Sequence, residues 1–348
     1  MSDLKSRIAR LIAAEGPISI AQYMTLALHD SAGGYYATRD PFGAHGDFIT
    51  APEVSQMFGE LIGLWMVQCW RDSGSPSPAR LVELGPGRGT LMADALRAAR
   101  AVPEFLDAIE IVLVEASPFL RDVQREKLPA TIRWTDRFDL SLTDRPLFLF
   151  ANEFFDALPI RQYVKTQRGW CERMVTEKNG ELAFALAPVA SLGLDVDKAE
   201  VGAVYETSPA SIALVEEISR TIAAQGGAAL IVDYGHDGGF GDTLQAVAQH
   251  KYASILDAPG EADLSAHVDF AALAAGAKRS AATAFGPVGQ GVFLKALGLD
   301  ARARQLIRNN PHETKSIEAA VDRLTVQMGT LFKALAIVPD GAAKPVGF

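Results

Sequence analysis

The stretch Arg80-Leu81-Val82-Glu83-Leu84-Gly85-Pro86-Gly87-Arg88-Gly89-Thr90-Leu91 decides how the rest of the chain is read. Its first five residues read as a buried strand, Gly85 to Gly89 as a turn, and residues 90–100 as a helix. Strand, glycine turn and helix in that order open a doubly wound α/β sheet, which binds ligands at the carboxyl ends of its strands. Glycines there let the backbone turn sharply and approach a ligand closely. The spacing is G-x-G-x-G followed by Thr90, not the G-x-G-x-x-G of dinucleotide sites, and Glu83 stands just ahead of the turn. A carboxylate at that place repels a pyrophosphate and suits a ligand that carries ammonium and sulfonium charge. A nicotinamide dinucleotide site and a plain tight turn between charged strand ends are the competing readings.

Working downstream, residues 109–115 form a second strand ending on Glu115, which can accept two hydrogen bonds from ribose hydroxyls. Ser117 caps a helix running to about Lys127. Residues 131–135 and 146–150 are further strands. Asp136 follows the third strand, where it either faces an adenine or is an ordinary solvated loop aspartate. Asn152-Glu153-Phe154-Phe155-Asp156-Ala157-Leu158-Pro159 follows the fourth. Two carboxylates and an amide at the end of a buried strand suit catalytic handling of a substrate beside a cofactor. The alternative is a capped turn with two phenylalanines in the core. Residues 161–187 break the alternation and read as an inserted β-meander turning at Gly169 and at Asn179-Gly180. A helix over about 209–224 and a strand over 228–233 resume the pattern. Residues 313–336 are expected to form a last helix, with Ile317, Val321, Leu324, Met328 and Leu331 on one face.

Upstream, a helix ends at Gly16-Pro17 and Ser19 caps a second one to about His29. Residues 31–52 have no helical period, and a helix is expected from Glu53 to about Arg71. Residues 72–78 have the composition of a linker.

Composition narrows the function. The chain has 348 residues, 49% hydrophobic and 22% charged, which suits one large α/β domain with additions. A formal charge of -9 argues against nucleic acid as a partner but is compatible with a basic protein or peptide. Cys69 and Cys171 make no CxxC pair, which points to a reducing compartment. No apolar run reaches the roughly 18 residues of a membrane span. The N-terminal segment has acidic residues and no cleavage signature, so it reads as a structural helix and not a leader. None of the six histidines has metal-ligand spacing, so no metal is expected, and no G-x-S-x-G elbow occurs.

Five stretches together resemble one family. They are Gly33-Gly34-Tyr35-Tyr36 through Gly46-Asp47-Phe48-Ile49-Thr50-Ala51-Pro52 to Glu60; Glu83 to Leu91 with Val114-Glu115-Ala116-Ser117-Pro118; Asn152 to Pro159; Gly226 to His236; and Asp257-Ala258-Pro259-Gly260-Glu261 to Phe270. The pattern resembles the MidA-like family of class I S-adenosylmethionine-dependent methyltransferases, over about residues 17–310. The resemblance implies a Rossmann-like, seven-strand doubly wound sheet with helical and β additions. It divides the chain into N-terminal helices and a lid loop (1–78), a methyltransferase core (79–160 and 200–300), the meander (161–199) and C-terminal helices (301–348). It implies S-adenosyl-L-methionine held by Glu83, Gly85, Pro86, Gly87, Gly89, Thr90, Leu91, Glu115, Ser117 and Asp136, with Gly46, Asp47 and Thr50 closing over it. Asn152, Glu153 and Asp156 would be the catalytic group. The activity implied is symmetric dimethylation of a protein arginine, on a respiratory complex I subunit or a similar protein, in a bacterial cytoplasm or a mitochondrial matrix. Methylation of a small molecule, or an assembly chaperone that binds the cofactor without transfer, are the rival functions.

Overall fold

Buried apolar runs come together as the strands of one central sheet. The computed structural model describes residues 3–38, 50–190 and 199–348. Seven strands lie in the order Ala282–Gly289, Phe332–Pro339, Gly227–His236, Leu147–Asn152, Ala79–Leu84, Ile109–Val114 and Arg133–Thr135. An eighth short strand, Val268–Asp269, pairs parallel with the end of Gly227–His236. Neighbours from Gly227–His236 to Arg133–Thr135 are parallel, and Phe332–Pro339 runs antiparallel to both of its neighbours. This is the seven-strand sheet that the resemblance implies.

The two-residue period of a strand sends its side chains to opposite faces. Phe148 and Phe150 enter the layer under helices Gln56–Asp72 and Thr90–Ala99, with Phe58, Trp65 and Leu91. Leu147 and Leu149 enter the other layer, with Ile218 and Leu273 of helices Pro209–Gln225 and Phe270–Arg279. Helices Gln56–Asp72 and Thr90–Ala99 touch backbone to backbone, because a Cβ on Gly63 would lie 2.6 Å from the Cα of Ala95.

A second sheet carries the meander, Arg161–Thr166, Gly169–Lys178 and Glu181–Ala190, with Val204–Thr207 beside its first strand. Asn179 and Gly180, at φ 56° and 86°, make the tight hairpin turn expected of Asn-Gly. Helices Leu4–Glu15 and Ile20–His29 cover this sheet, with Ile8 and Tyr23 in one core with Val175 of the meander and Leu264 of the short strand Asp263–Ser265. Ser19 and Gln22 form a reciprocal capping box at the start of the second helix.

Three expectations need correction. The last helix ends early: Thr314–Asp322 is α-helical, Arg323–Gln327 is a single π-turn, and Phe332–Pro339 is a strand in the middle of the sheet. The segment 301–348 is therefore not helical throughout. The apolar stripe was genuine up to Leu324, but Gly329 makes a close turn, and the continuous run Ala334 to Val338 is buried on both faces. Such a run satisfies either period, and tertiary pairing decides. The helix expected from Glu53 is broken: Ala51–Val54 forms one short turn, and Ser55 caps Gln56–Asp72 by accepting from Met57 N. Finally, the aperiodic stretch after His29 contains a helical turn, Tyr35–Thr38. The remainder of that expected lid, 39–49, lies outside the described residues.

Candidate active site

The order of the sheet reverses between Ala79–Leu84 and Leu147–Asn152, so a crevice opens where their carboxyl ends diverge. A cleft lies there, lined by Thr50, Pro52, Glu53, Glu83, Gly85, Pro86, Gly87, Arg88, Thr90, Leu91, Asn152 and Glu153. Residues from three distant stretches of sequence thus meet at one point. Gly46 and Asp47, expected in the same place, lie outside the described residues.

The turn has the backbone that its glycines permit. Gly85, Gly87 and Gly89 have φ of 60°, 51° and 74°. At Gly85 a Cβ would sit 2.7 Å from the ring of Phe154, so only glycine allows the two loops to meet. Gly89 lies outside the lining, as the left-handed N-cap of helix Thr90–Ala99. The Thr90 hydroxyl is held between Glu53, to which it donates at 2.5 Å, and Lys127, from which it accepts at 2.8 Å.

Behind the turn sit two buried acids. Glu83 is 3% exposed and its Oε2 has no hydrogen-bond partner among the described residues. Burial, and then the neighbouring Glu115, push its carboxyl well above the ordinary range. Glu115 is raised to about 6 by burial, against the donors that hold it. Its Oε1 accepts from Ser117 N at 2.8 Å and its Oε2 from Gln124 Nε2 at 3.4 Å. Gln124 also donates to Gly87 O at 2.7 Å and accepts from Trp134 Nε1 at 2.7 Å, which ties the glycine turn to the next helix and the third strand. The sequence offered no sign of Gln124. Ser117 caps helix Pro118–Lys127 as expected. Asp136 is exposed and paired with Arg121.

The other wall is the loop after the fourth strand. Glu153 has φ 51°, unusual for a residue with a side chain. Its Oε1 accepts from Ala51 N at 3.0 Å and Asn152 Nδ2 at 3.2 Å. Burial raises its carboxyl to about 7, opposed by the Ala51 N–H and assisted by Asp156. Asp156 is raised to about 6, again by burial, with the Tyr234 hydroxyl acting in the opposite direction. The Asp156 Oδ1 and Asn152 Oδ1 atoms are buried without partners among the described residues. Glu153 and Asn152 line the cleft, whereas Asp156 lies deeper. Tyr36 and Asp263, joined at 2.9 Å, are near enough for Asp156 to act on Tyr36. Asp233, to which sequence reading assigned no role, is wholly buried beside this loop. Its signals were an acidic residue ending an apolar strand and its place within the Gly226 to His236 stretch of the resemblance.

The chain matches the model of a family of S-adenosyl-L-methionine-dependent methyltransferases over residues 61–288. It is 38% identical to the human mitochondrial protein arginine methyltransferase NDUFAF7, over 94% of this chain and 81% of that protein. The mitochondrial NDUFAF7 homolog of Drosophila melanogaster is 37% identical, over 97% and 85%. A crystal structure from Burkholderia thailandensis, bound to S-adenosyl-homocysteine, is 30% identical with a TM-score of 0.87, covering 99% of this chain and 93% of that one.

The chain belongs to this methyltransferase family.

It is an S-adenosylmethionine-dependent enzyme with the class I fold. The methyltransferase has residues that fit the cofactor. The unpartnered Glu83 Oε2 fits a cationic donor, and two positive-φ glycines, Gly85 and Gly87, keep the wall of the cleft free of side chains. Among the described residues, no helix is long and apolar enough to cross a membrane.

Proposed function

We propose that this chain is a protein arginine N-methyltransferase in which Glu153 is the proton acceptor. The observation that carries the reading is a pair of carboxyl groups, Glu153 lining the cofactor cleft and Asp156 buried behind it. Buried carboxylates of this kind need a cation, and a guanidinium supplies one with a planar fork of donors. The names of the mitochondrial relatives support the same substrate class. Resemblance to the MidA-like family extends it to symmetric dimethylation of a respiratory complex I subunit or a similar arginine-bearing protein, in a bacterial cytoplasm or a mitochondrial matrix.

Glu83 and the backbone of Gly85 to Gly89 would hold the amino-acid part of S-adenosylmethionine, and Glu115 its ribose. When bound, that cofactor supplies a methyl group already activated on a sulfonium. The protein must then align the nucleophile, exclude water and remove a proton. A guanidinium keeps its proton at neutral pH, so its nitrogen becomes a good nucleophile only as that proton departs. Asp156 and the Asn152 Oδ1 atom orient the fork through charged and polar hydrogen bonds. Glu153, with a carboxyl near neutrality, accepts the proton as the N–C bond forms.

The test is Glu153→Gln. Affinity for S-adenosylhomocysteine should stay within about 1 kcal/mol of wild type, the scale of one ordinary hydrogen bond. Methyl transfer should fall by about 10²-fold or more, the scale of general base catalysis. Near-normal turnover by the variant contradicts the assignment. Parallel loss of S-adenosylhomocysteine binding would place Glu153 in the donor pocket instead.

A further inference from the structure

We infer that Asp233 is the residue that shapes the catalytic loop, by gathering three of that loop's own amides onto one oxygen of its carboxyl group. The inference rests on the reading of Glu153 and Asp156 given above. Glu153, one residue past strand Leu147–Asn152, is still held to the neighbouring strand through its N–H to Val232 O at 2.9 Å. Its positive φ then turns the chain so that the next three amides converge on one point. Phe154 N, Phe155 N and Asp156 N donate to the same oxygen, Asp233 Oδ2, at 3.1, 2.9 and 3.3 Å. The second oxygen, Oδ1, accepts from Tyr234 N at 3.0 Å. Successive amides following a left-handed residue form an anion-binding concavity, and here a carboxyl group of the protein itself fills it.

The neighbouring strand makes this possible. Val232 pairs in register with Asn152, so Asp233 stands immediately beyond the last rung, level with the turn. Across the other ladder Asp233 pairs with Lys333, whose ammonium bonds the carbonyl of Thr330 at 3.4 Å. The Asp233 carboxylate is thus committed to backbone donors. Burial and the adjoining Asp156 and Glu153 push its carboxyl above the ordinary range, so the loop amides offset a real electrostatic cost.

The consequence is geometric. Glu153 precedes the nest and Asp156 closes it, so the Asp233 carboxyl group sets the distance and angle between the two carboxylates. It also sets the place of Phe154, whose ring fills the space that Gly85 leaves open. Asp233 touches neither cofactor nor substrate in this account; it is a positioning residue. Only aspartate fits. Asparagine offers one acceptor oxygen and turns N–H donors toward amides, and glutamate adds a methylene that pushes the loop outward.

The experiment compares Asp233→Asn, Asp233→Glu and Glu153→Gln. Readouts are S-adenosylhomocysteine affinity by calorimetry, melting temperature, and initial rates of tritiated methyl transfer from S-adenosylmethionine into lysate proteins. For both Asp233 variants, we expect S-adenosylhomocysteine affinity and the KM for S-adenosylmethionine within about threefold of wild type, with kcat down about tenfold or more. Crystal structures of those variants should show the backbone of residues 153–156 displaced. A kcat within about twofold of wild type in a folded variant overturns the inference, as does cofactor affinity falling in step with kcat. Failure of both Asp233 variants to fold overturns it too, since the carboxylate would then hold the fold and not the loop. An active Glu153→Gln enzyme beside an impaired Asp233→Asn enzyme removes the proton-acceptor reading and keeps the positioning role. The reverse pair of results removes the positioning role alone.

Discussion

At the scale of single residues, the site buries more carboxyl groups than it pairs with cations. Glu83 is the sharpest case, because one of its oxygens is buried with no partner among the described residues. Its carboxyl is raised by burial and by Glu115, so the folded, cofactor-free protein holds the proton more tightly than the unfolded chain. That favours folding at low pH, and the advantage is lost as pH rises above the ordinary carboxylate range. Glu83→Gln removes the titration. The cofactor-free variant should melt close to wild type at pH 5 and above it at pH 8. The same variant should bind S-adenosylhomocysteine more weakly by about 1.5–3 kcal/mol, the scale of a hydrogen bond to a charged group. A melting-temperature gain of equal size at both pH values, or unchanged affinity, would count against the role. Glu83 was legible from sequence because it adjoins the glycine turn it serves. Asp233 was not, because the amides it binds lie 77 to 79 residues away and carry no side-chain signature.

At the scale of elements, the short helix Ala51–Val54 couples the two walls of the cleft. Its first amide donates to Glu153, and Glu53 accepts from Thr90 at the start of the glycine-turn helix. Ligand held between those walls should therefore restrain this helix. Amide exchange over residues 51–54 should slow when S-adenosylhomocysteine is added to the wild-type protein. Equal exchange with and without ligand would argue that the helix is a fixed wall and not part of a closing element. The early strands were readable because each is a short apolar run bounded by its own turn, as at Gly85 and at Ser117. Strand Phe332–Pro339 was hidden because it follows a helix directly, and its apolar run continues that helix's stripe. Its place between Gly227–His236 and Ala282–Gly289 depends on pairing across about 100 residues on one side, which no local pattern encodes.

At the scale of the whole molecule, the cofactor end of the sheet is supported from behind by a charged clasp. Glu60, 5% exposed on helix Gln56–Asp72, accepts from Arg302 at 2.7 and 2.9 Å and also pairs with Arg97. It joins helix Leu299–Asn309 to the helix that packs against Thr90–Ala99, the helix after the glycine turn. Both arginines reach water, so removing the acid leaves cations that can be solvated. Glu60→Ala should lower stability by about 1–3 kcal/mol, less than the loss of one partner from a fully enclosed pair. S-adenosylhomocysteine affinity should hardly change, since Glu60 is not among the cleft residues. An unaltered melting temperature would show the clasp to be ornamental. The acidic surface, at a formal charge of -9, suits a basic arginine-bearing partner approaching the open side of the cleft. The measurement that tests the central claim most directly is tritiated methyl transfer from S-adenosylmethionine into lysate proteins, followed by acid hydrolysis and separation of the labelled amino acids. The account predicts label in methylated arginine with the wild-type chain and almost none with Glu153→Gln. Label in another residue or in the small-molecule fraction, or equal labelling by the two proteins, would contradict it.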